Sequence, residues 1–374
     1  MSEERRTLNY VEPAYNNFLH NRASAKGIPL AGNFELTTRC NFNCKMCYVH
    51  DNAKKDELTA EQWIEIGRRA TEKGMLFLLL TGGEPLLRKD FKQIYKAYSE
   101  MGLMISINTN GSLIDDEIIA LFKEFPPTRI NISLYGSCND TYIKLCGLPM
   151  FDKVVENIKK LKEYNIQVKL NGSITPYNVS DIEGMYRIAE ELGPPLKATS
   201  YMFPPVRVNG CQYGDAPHRF TALEAAEAQL KCQEQYLTKE EIISTYNSNE
   251  VPAADFKDGQ AVTMHCRAGK TSFWMTWDGR MLPCGMLPMD GYLVIDSEFD
   301  IAWEKCREYA KQVYEPVACA ACPKKTQCPS CVASCIAESG SSTIRPEYIC
   351  RFTQCVDELK RKKYIETMNK EETG

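Results

Sequence analysis

Short apolar runs alternate with amphipathic stretches over residues 34 to about 203 of the chain. The runs are rich in aliphatic and β-branched residues, whereas the stretches between them repeat apolar side chains every three or four positions, as in Val154, Ile158 and Leu161. This alternation is typical of βα units that build a parallel sheet. The pattern predicts six strands, with the sequences NFELTT, MLFLLL, MISINT, RINISLY, IQVKLNGSI and LKATSYMF.

Six strands at a spacing of roughly thirty residues are two short of a closed eight-stranded barrel. We therefore expect an α/β fold in which residues 34–205 form an open, partial (β/α)6 TIM-like barrel. Gly74, Gly102 and Gly193 fall where helices should end. In parallel α/β folds the functional residues lie at the carboxyl ends of the strands, so the loops after the strands are where a site is expected.

The rest of the chain has a different pattern. Residues 1–33 are expected to form an N-terminal arm, and residues 206–255 a linker that contains one helix, TALEAAEAQLKCQEQYL. Residues 256–374 are rich in turns and cysteine, which predicts a small α+β domain. Within it, FWMTWDGRMLPC predicts a hairpin around Asp278 and Gly279, and VDELKRKKYIETMNKEETG predicts a charged terminal helix.

Composition narrows the function classes. The chain has 374 residues, 44% of them hydrophobic, and a formal net charge of -4. This acidity and the lack of a basic, aromatic-rich stretch argue against nucleic acid as a partner. No apolar segment has the length of a signal peptide or a membrane span, so we expect a cytoplasmic protein without membrane contact. Seventeen cysteines are unusual for a cytoplasmic protein, since that reducing compartment disfavours disulfides. We therefore predict that most of them are metal ligands.

Three of these cysteines, Cys40, Cys44 and Cys47, lie in the loop after the first predicted strand, in TTRCNFNCKMCYVH. Together with His50 they could hold one zinc ion. Structural zinc usually draws its ligands in pairs from separate turns, however, whereas these four residues share one short loop. A four-iron cluster is the other interpretation, because three thiolates fill three of its corners and leave the fourth iron open to bind a ligand.

The spacing CNFNCKMC resembles the signature of radical S-adenosylmethionine (radical SAM) enzymes. A second similarity is LFLLLTGGEPLL, in which a buried strand leads into Gly82, Gly83 and Glu84. Glycines allow the backbone to approach a ligand closely, and a carboxylate can accept hydrogen bonds from an ammonium group. The resemblance implies a [4Fe-4S] cluster on the three cysteines and binding of the SAM amino group by the three residues of GGE.

Other parts of the barrel resemble the family less closely. NTNG at 108–111 and NISLYG at 131–136 are similar to the strand ends that line the nucleoside in these enzymes. The resemblance implies SAM contacts for Asn108 and Ser133, and Lys144 is a candidate partner of the SAM carboxylate. The structural alternatives are a capping hydroxyl for Ser133 and a solvated surface amine for Lys144.

Ten further cysteines lie between residues 266 and 355, in a pattern that resembles the SPASM extension of radical SAM enzymes. That extension usually holds two auxiliary [4Fe-4S] clusters. The match is imperfect, because CAACPKKTQCPSCVASC contains one additional cysteine, either Cys328 or Cys331. The resemblance implies Cys266, Cys284 and Cys335 as ligands of an inner cluster, and Cys319, Cys322, Cys328 and Cys350 as ligands of an outer one.

The ligand set of these clusters has open alternatives. Cys331, Cys355 and Cys306 are left as substitutes or bystanders. The inner cluster could have three protein ligands and an open iron, or it could be closed by His265 or Cys306. The whole zone could instead hold zinc, which two-residue cysteine gaps suit, or a single cluster as in the shorter twitch extension.

For the function, the resemblance implies reductive cleavage of SAM to a 5′-deoxyadenosyl radical that abstracts hydrogen from a substrate. Auxiliary clusters usually accompany peptide and protein modification, so the first hypothesis is a maturase that cross-links, oxidises or epimerises a ribosomal peptide. It would need an external electron donor of the flavodoxin or ferredoxin type. The 33 residues before the first strand are too few for a fused leader-peptide-binding domain, so a separate protein or the barrel mouth would bind the leader.

Two other hypotheses are oxidation of a cysteine or serine to formylglycine, as in sulfatase maturation, and, from another class, a zinc-binding adaptor without catalysis. Oxidation needs a general base, and epimerisation needs a hydrogen donor. The candidates for these roles at the barrel mouth are Tyr135, Cys138, Cys146 and Asp278, with Cys146 as the favoured donor.

Overall fold

The structure is a computed structural model. It describes residues 14–48, 56–205, 212–247, 264, 266–295 and 299–365. Nine strands of these residues form one sheet. They are β1 (Ala31–Glu35), β2 (Phe77–Thr81), β3 (Met104–Thr109), β4 (Arg129–Ser133), β5 (Val168–Ser173), β6 (Leu196–Thr199), β7 (Ser272–Met275), β8 (Arg280–Leu282) and β9 (Tyr292–Leu293).

The sheet has the order β6-β5-β4-β3-β2-β1-β7-β8-β9. Strands β1 to β6 pair in parallel with their neighbours, with Phe34 opposite Leu80 and Ile107 opposite Ile130. These are the six strands that the hydrophobic pattern predicts. The open, partial (β/α)6 barrel is therefore confirmed.

The C-terminal part of the chain extends this sheet. β7 pairs in parallel with β1, with Phe273 opposite Gly32. β8 then returns antiparallel, with Trp274 opposite Leu282, so the predicted hairpin is confirmed. Because β7 runs parallel to β1, the turn of the hairpin lies at the same end of the sheet as the loop after β1.

The described residues contain thirteen α-helices, and none of these helices is both long and apolar enough to cross a membrane. They are α1 (Ala14–Lys26), α2 (Ala60–Glu72), α3 (Phe91–Glu100), α4 (Asp116–Glu124), α5 (Asn139–Cys146), α6 (Phe151–Glu163), α7 (Ile182–Leu192), α8 (Ala222–Gln233), α9 (Lys239–Asn247), α10 (Phe299–Gln312), α11 (Val317–Ala320), α12 (Val332–Ser339) and α13 (Glu347–Lys360).

Local sequence signals set the ends of the helices in the barrel. Thr59 and Gln62 form a capping box that starts α2. Gly74 and Gly102 follow α2 and α3 with positive φ, and Gly193 caps α7 in the left-handed conformation, at φ +88°. The three predicted helix ends are thus confirmed, and each uses a backbone conformation that glycine adopts without strain.

The parallel strands have an outer face under the helices and a concave inner face. Phe34 on β1 packs against Trp63 of α2, with ring centroids 5.3 Å apart. A Cβ built on Gly172 of β5 would lie 3.0 Å from the side chain of Met185 on α7. These residues define the outer face, so their neighbours along each strand, such as Asn171, point to the inner face.

The main apolar core includes residues from both ends of the chain. Phe34 and Trp63 are fully buried in it together with Phe273 of β7. Phe273 in turn packs edge-on against Phe299 of α10, with ring centroids 5.5 Å apart. Burial of each such ring contributes about 1.5–3 kcal/mol, so the C-terminal residues help to stabilise the barrel.

The segment predicted as a linker contains α8, as expected. This helix packs on β6 and α13, and its Ala225, Ala226 and Cys232 are fully buried in the main core. Residues 206–211 and 248–255 of the predicted linker lie outside the described residues. The predicted terminal helix is present in α13, which continues as a π-helical turn (Arg361–Ile365), and residues 366–374 again lie outside the described part.

Candidate active site

The loop after β1 carries the three clustered cysteines, and the end of α5 supports it. The backbone amides of Asn43 and Lys45 donate to the carbonyls of Cys146 and Leu145, each at 3.0 Å. The loop lies at the carboxyl end of the parallel strands, where sites of this fold class are built.

The three thiols form no disulfide and are shielded from solvent to different degrees. Cys44 is buried, and Cys40 and Cys47 are half-buried. The amide of Phe42 and the side-chain amide of Asn110 donate to Cys40 Sγ, at 3.4 and 3.8 Å. Burial raises the pKa of the Cys40 thiol to about 11, so its thiolate form needs a positive charge beside it. Three shielded thiols in one loop, one of them with two N–H donors, fit three corners of a [4Fe-4S] cluster.

Gly82 and Gly83, which follow β2, lie directly against the cysteine loop. The amide of Gly83 donates to the Thr37 carbonyl at 2.7 Å, and the amide of Glu84 donates to the Arg39 carbonyl at 2.8 Å. A Cβ on Gly82 would lie 2.5 Å from the Thr37 oxygen, and one on Gly83 would lie 2.4 Å from the Arg39 oxygen. Both glycines are therefore needed to let the two loops lie side by side.

Glu84 is fully buried, and the described residues that donate hydrogen bonds to its carboxylate do so through neutral groups. It accepts from the Thr109 hydroxyl at 2.9 and 3.0 Å, from the Asn110 amide at 2.7 Å and from the Leu86 amide at 3.1 Å. Burial raises the pKa of Glu84 to about 7. A cation beside this carboxylate would favour its charged form, so the position fits the SAM amino group.

Asn108 and Ser133 lie on the concave face, near the carboxyl ends of β3 and β4. The Asn131 side-chain amide donates to Asn108 Oδ1 at 2.9 Å, and Ser133 forms a side-chain hydrogen bond with Tyr135. Lys144 lies on the exposed side of α5. Thr109, the residue after Asn108, hydrogen-bonds Glu84, so the backbone at Asn108 lies near that carboxylate. The SAM contacts of Asn108, Ser133 and Lys144 stay predictions.

Tyr135 and Cys138 follow β4 at the barrel mouth. Tyr135 is half-buried, with its ring 6.4 Å from that of Phe42 and 6.0 Å from that of Tyr142. Cys138 is exposed, with its sulfur 3.5 Å from the Thr141 hydroxyl. Only Tyr135 of this pair packs against the cysteine loop, through Phe42.

Cys146 and Asp278 are both engaged by other side chains. Cys146 is fully buried, and its thiol hydrogen-bonds with that of Cys44, so it lies behind the cysteine loop. Asp278, in the β7–β8 turn, accepts from the Thr276 hydroxyl at 2.6 Å and forms an ion pair with Arg280 at 3.3 Å. Their proposed catalytic roles stay predictions.

Four thiols of the C-terminal zone line one cavity of about 240 Å³. Lys324, Lys325 and Arg345 also line it. Thiols together with cationic side chains fit a cluster ligated by four thiolates, which carries net negative charge. The four are the predicted outer ligands Cys319, Cys322, Cys328 and Cys350.

Cys331 is near the predicted inner ligands instead. It caps the start of α12, one turn before Cys335, and it acts electrostatically on both Cys335 and Cys266. Cys284 packs against a small apolar cluster that includes Val332, the residue after Cys331. Cys331 is therefore near Cys266 and Cys335, although Cys335 is also near the predicted outer ligand Cys319.

The remaining candidates are distributed differently. Cys306 and Cys355 are fully buried in the main apolar core, which favours the bystander interpretation. His50 and His265 lie outside the described residues. Across the described part of the chain, no three His, Cys, Asp or Glu side chains are arranged to hold a single metal ion.

A hydrogen-bonded chain that the sequence did not reveal ties the cysteine loop to the loop after β3. The side-chain amide of Asn110 donates to Asn41 Oδ1 at 2.8 Å, and that of Asn41 donates to Ser112 Oγ at 2.9 Å. The NTNG motif predicts Asn108 as a SAM contact, which stays a prediction, whereas the residue of this motif that contacts the cysteine loop is Asn110. Hydrogen bonds between separate loops leave no spacing pattern that a sequence could show.

A cavity of about 210 Å³ beside Cys47 was also not predicted. Its walls include Met202 and Phe203, which follow β6, and His218, which precedes α8. The Tyr177 hydroxyl lies 3.0 Å from His218 Nδ1. No sequence pattern connects these positions, because they meet only through the fold.

Residues 34–189 match the Radical SAM superfamily, so this part of the chain is a radical SAM domain. The matched range contains the cysteine loop and the Gly82–Glu84 turn, so the predicted family is confirmed. The family implies SAM and a [4Fe-4S] cluster as cofactors. The predicted enzyme class is confirmed by this match, and none of the comparisons supports a zinc-binding adaptor without catalysis.

Individual relatives have different activities. The chain is 26% identical over 325 residues to the AdoMet-dependent heme synthase of Methanosarcina barkeri (strain Fusaro / DSM 804), a match to 82% of this chain and 92% of that protein. It is 26% identical over 284 residues to the sporulation killing factor maturation protein SkfB of Bacillus subtilis (strain 168), a match to 73% of this chain and 65% of SkfB.

The fold is similar to that of Streptococcus suis SuiB bound to its precursor peptide SuiA. The TM-score is 0.68 at 18% identity, over 90% of this chain and 80% of SuiB. SuiB bound to S-adenosylmethionine gives a TM-score of 0.65 at 17% identity, over 91% and 82% of the two chains. The likeness extends past residues 34–189 into the cysteine-rich C-terminal zone.

Proposed function

We propose that this protein is a peptide-modifying radical SAM enzyme that acts in the maturation of a ribosomal peptide. When bound, SAM and the reduced cluster supply a 5′-deoxyadenosyl radical that abstracts hydrogen from the substrate. The observation that carries the proposal is the likeness to SuiB over 90% of the chain, since SuiB binds a precursor peptide. The relative SkfB is likewise named for the maturation of a killing factor.

The residues of the site have distinct roles in this proposal. Cys40, Cys44 and Cys47 hold the cluster, and Glu84 holds the SAM ammonium group. The Thr109 hydroxyl, which donates to Glu84 at 2.9 Å, fixes the direction of the carboxylate. Asn108, Ser133 and Lys144 contact the rest of SAM.

The cavity beside Cys47 is the proposed place for the reacting side chain of the peptide. Met202 and Phe203 are apolar walls that would exclude water from the reacting carbon. His218, fixed by the Tyr177 hydroxyl, supplies a polar group at the same cavity. A flavodoxin- or ferredoxin-type protein delivers electrons, and a separate protein binds the leader peptide. We place the reaction in the cytoplasm, since none of the sixteen described cysteines forms a disulfide.

We further propose two auxiliary [4Fe-4S] clusters in a C-terminal domain of residues 256–374. The thiols that line the 240 Å³ cavity hold the outer one. Cys331 completes the inner set, which gives that cluster four protein ligands instead of three. These clusters would take up the electron that the substrate radical gives away. The inner ligands are Cys266, Cys284, Cys331 and Cys335.

A second candidate function is the modification of a tetrapyrrole. The observation that favours it is the match to the heme synthase, which extends over 92% of that protein. Formylglycine formation stays a prediction that would need a base at the barrel mouth.

The test is the metal content and SAM cleavage of anaerobically reconstituted protein. We expect about twelve irons per chain, and about eight in the Cys40→Ala/Cys44→Ala/Cys47→Ala variant. With dithionite as reductant, 5′-deoxyadenosine should form only with the parent protein. Mass spectrometry should then find a mass change in a co-expressed precursor peptide. An unmodified peptide together with a turned-over tetrapyrrole would replace the first proposal with the second.

A further inference from the structure

Three cationic side chains lie on neighbouring strands of the barrel. Arg129 is on β4, Lys169 on β5 and Lys197 on β6. Lys169 lies opposite Asn131, two residues beyond Arg129, and Lys197 lies opposite Asn171, two residues beyond Lys169. From strand spacing and rise, the Cα atoms of successive cations are about 8 Å apart. They form one diagonal row, which we call the cationic wall.

The cationic wall faces the inside of the barrel. Ile130, Leu170 and Leu196, each next to one of the three cations on its strand, are buried in the core under the helices. Successive strand residues point to opposite faces, so the three cations point to the concave face. Lys169 is half-buried there and Lys197 is exposed, so both ammonium groups can be reached from the barrel interior.

The two lysines of the wall lie in a field of like charge. The pKa of Lys169 is lowered by burial and by the charges of Arg129 and Lys197, and no acid among the described residues opposes this shift. An acid of the concave face, Glu35 on β1, lies across the barrel and accepts from the Trp274 indole at 3.0 Å. Like charges held close together cost free energy, which a bound anion would recover.

We propose that the cationic wall binds a carboxylate of the substrate. Lys169 and Lys197 donate to it directly, and Arg129, held at Nε by Asn131 Oδ1 at 2.9 Å, strengthens the positive potential. The inference rests on the proposed function, in which the substrate enters this barrel, and it narrows the substrate to an acidic one. The carboxylate could belong to an aspartate or glutamate of a peptide, or to a small molecule.

The test uses methionine variants, because methionine keeps an unbranched stem and removes the charge. Lys169→Met and Lys197→Met are compared with Lys159→Met on the exposed side of α6. The probes are fluorescein-labelled hexaglutamate, hexaglutamine with the same label, and heme as a small dicarboxylate, each added to reconstituted protein with SAM. Binding of the two labelled peptides is measured by fluorescence anisotropy, and binding of heme is measured by the change in its absorbance band.

We expect hexaglutamate to bind more tightly than hexaglutamine. Each wall variant should weaken hexaglutamate binding by about tenfold or more, the value of one charge-assisted hydrogen bond. Lys159→Met should bind as the parent does, and Lys169→Arg should keep most of the affinity. Thermal unfolding of the wall variants should occur at or above the parent temperature, since repulsion is relieved.

The other outcomes separate this inference from the proposed function. Heme binding that depends on the two lysines, without a preference for hexaglutamate, would support the carboxylate site and contradict peptide maturation. Acidic probes that bind no better than hexaglutamine, or that bind the wall variants and the parent equally, would overturn the carboxylate site. That result would leave the proposed peptide modification standing.

Discussion

Arg219, just before α8, donates to both carboxylate oxygens of Glu338 on α12, at 2.7 and 3.1 Å. The two side chains are only 10% and 3% exposed, and the guanidinium lies 3.7 Å from the ring centre of Tyr348. This pair joins the segment that carries His218 to the helix that follows Cys331. The cavity beside the barrel cysteines and the C-terminal thiol zone are therefore mechanically connected.

Glu338→Gln should destabilise the protein strongly, because it leaves the Arg219 guanidinium buried without a counter-charge. We expect the free energy of unfolding to fall by roughly 3–5 kcal/mol. Glu347→Gln removes a partner of the exposed Arg345 and should cost less than about 1 kcal/mol. Urea denaturation of cluster-free protein measures both. If the free energy of unfolding falls by a similarly small amount in both variants, the buried ion pair of Arg219 and Glu338 does not stabilise the fold.

Gly82→Ala should prevent assembly of the barrel cluster, because the new Cβ would press on the Thr37 carbonyl at 2.5 Å. Gly102→Ala is the matched control, since Gly102 also has positive φ, at +78°, but no other atom would lie within 4 Å of an added Cβ. The control should cost about 1 kcal/mol and keep all iron. Gly82→Ala should lose about four irons per chain. Full iron content in Gly82→Ala would refute the tight-contact argument.

Glu84→Gln should weaken SAM binding while leaving the iron content unchanged. The substitution keeps the shape of the side chain and removes the charge that the SAM ammonium group needs. We expect an increase of about tenfold or more in the dissociation constant, measured by equilibrium dialysis. Glu61→Gln, on the surface of α2, is the control and should have no effect. Unchanged SAM affinity in Glu84→Gln would assign the carboxylate a purely structural role.

Cys328→Ala and Cys331→Ala should each lose one auxiliary cluster, or about four irons per chain. The two variants should lose different electron paramagnetic resonance signals, since the proposed function assigns their thiols to different clusters. Cys306→Ala is the control, because that thiol is buried in the apolar core. If Cys331→Ala keeps all its iron and both signals, Cys331 only caps α12.

Asp181 should make stability depend on pH in the acid range. Burial alone would raise its pKa, but hydrogen bonds from the Ser137 amide at 2.7 Å and hydroxyl at 2.9 Å outweigh burial and hold the pKa below 3.8. The unfolded state then binds the proton more readily, so this stabilisation is present above about pH 4 and is lost as the pH falls below that value. The stability difference between parent and Asp181→Asn should therefore shrink in acid. A difference that stays constant down to pH of about 3 would contradict the argument.

The six parallel strands could be predicted because each is a buried apolar run next to a helical repeat. The strand with which β7 pairs could not be predicted from the sequence. Phe273 lies opposite Gly32, and nothing in the local sequence FWMTW says which edge of the barrel it joins. A pairing between distant segments depends on the packing of Phe273 with Phe34 and Phe299, which only the assembled core provides.

The barrel site could be recognised because its signals are local: a cysteine spacing in one loop, and two glycines before Glu84. The C-terminal ligands could not be separated in the same way. Cys328 and Cys331 are three positions apart, and spacing fits either one. The fold gives them different neighbours, because Cys328 lines the cavity with Cys319 whereas Cys331 is close enough to act electrostatically on Cys266.

The pairing of β7 with β1 also has a consequence for synthesis on the ribosome. Asn33 of β1 meets its contact, the Phe273 carbonyl, 240 positions later in the chain. At a synthesis rate of roughly 5–20 residues per second, the edge of β1 that pairs with β7 stays unpaired for roughly 10–50 seconds. During that interval the nascent barrel has an unpaired strand edge beside the cysteine loop. Protection of this edge by chaperones and delivery of the iron–sulfur cluster would therefore fall in the same period.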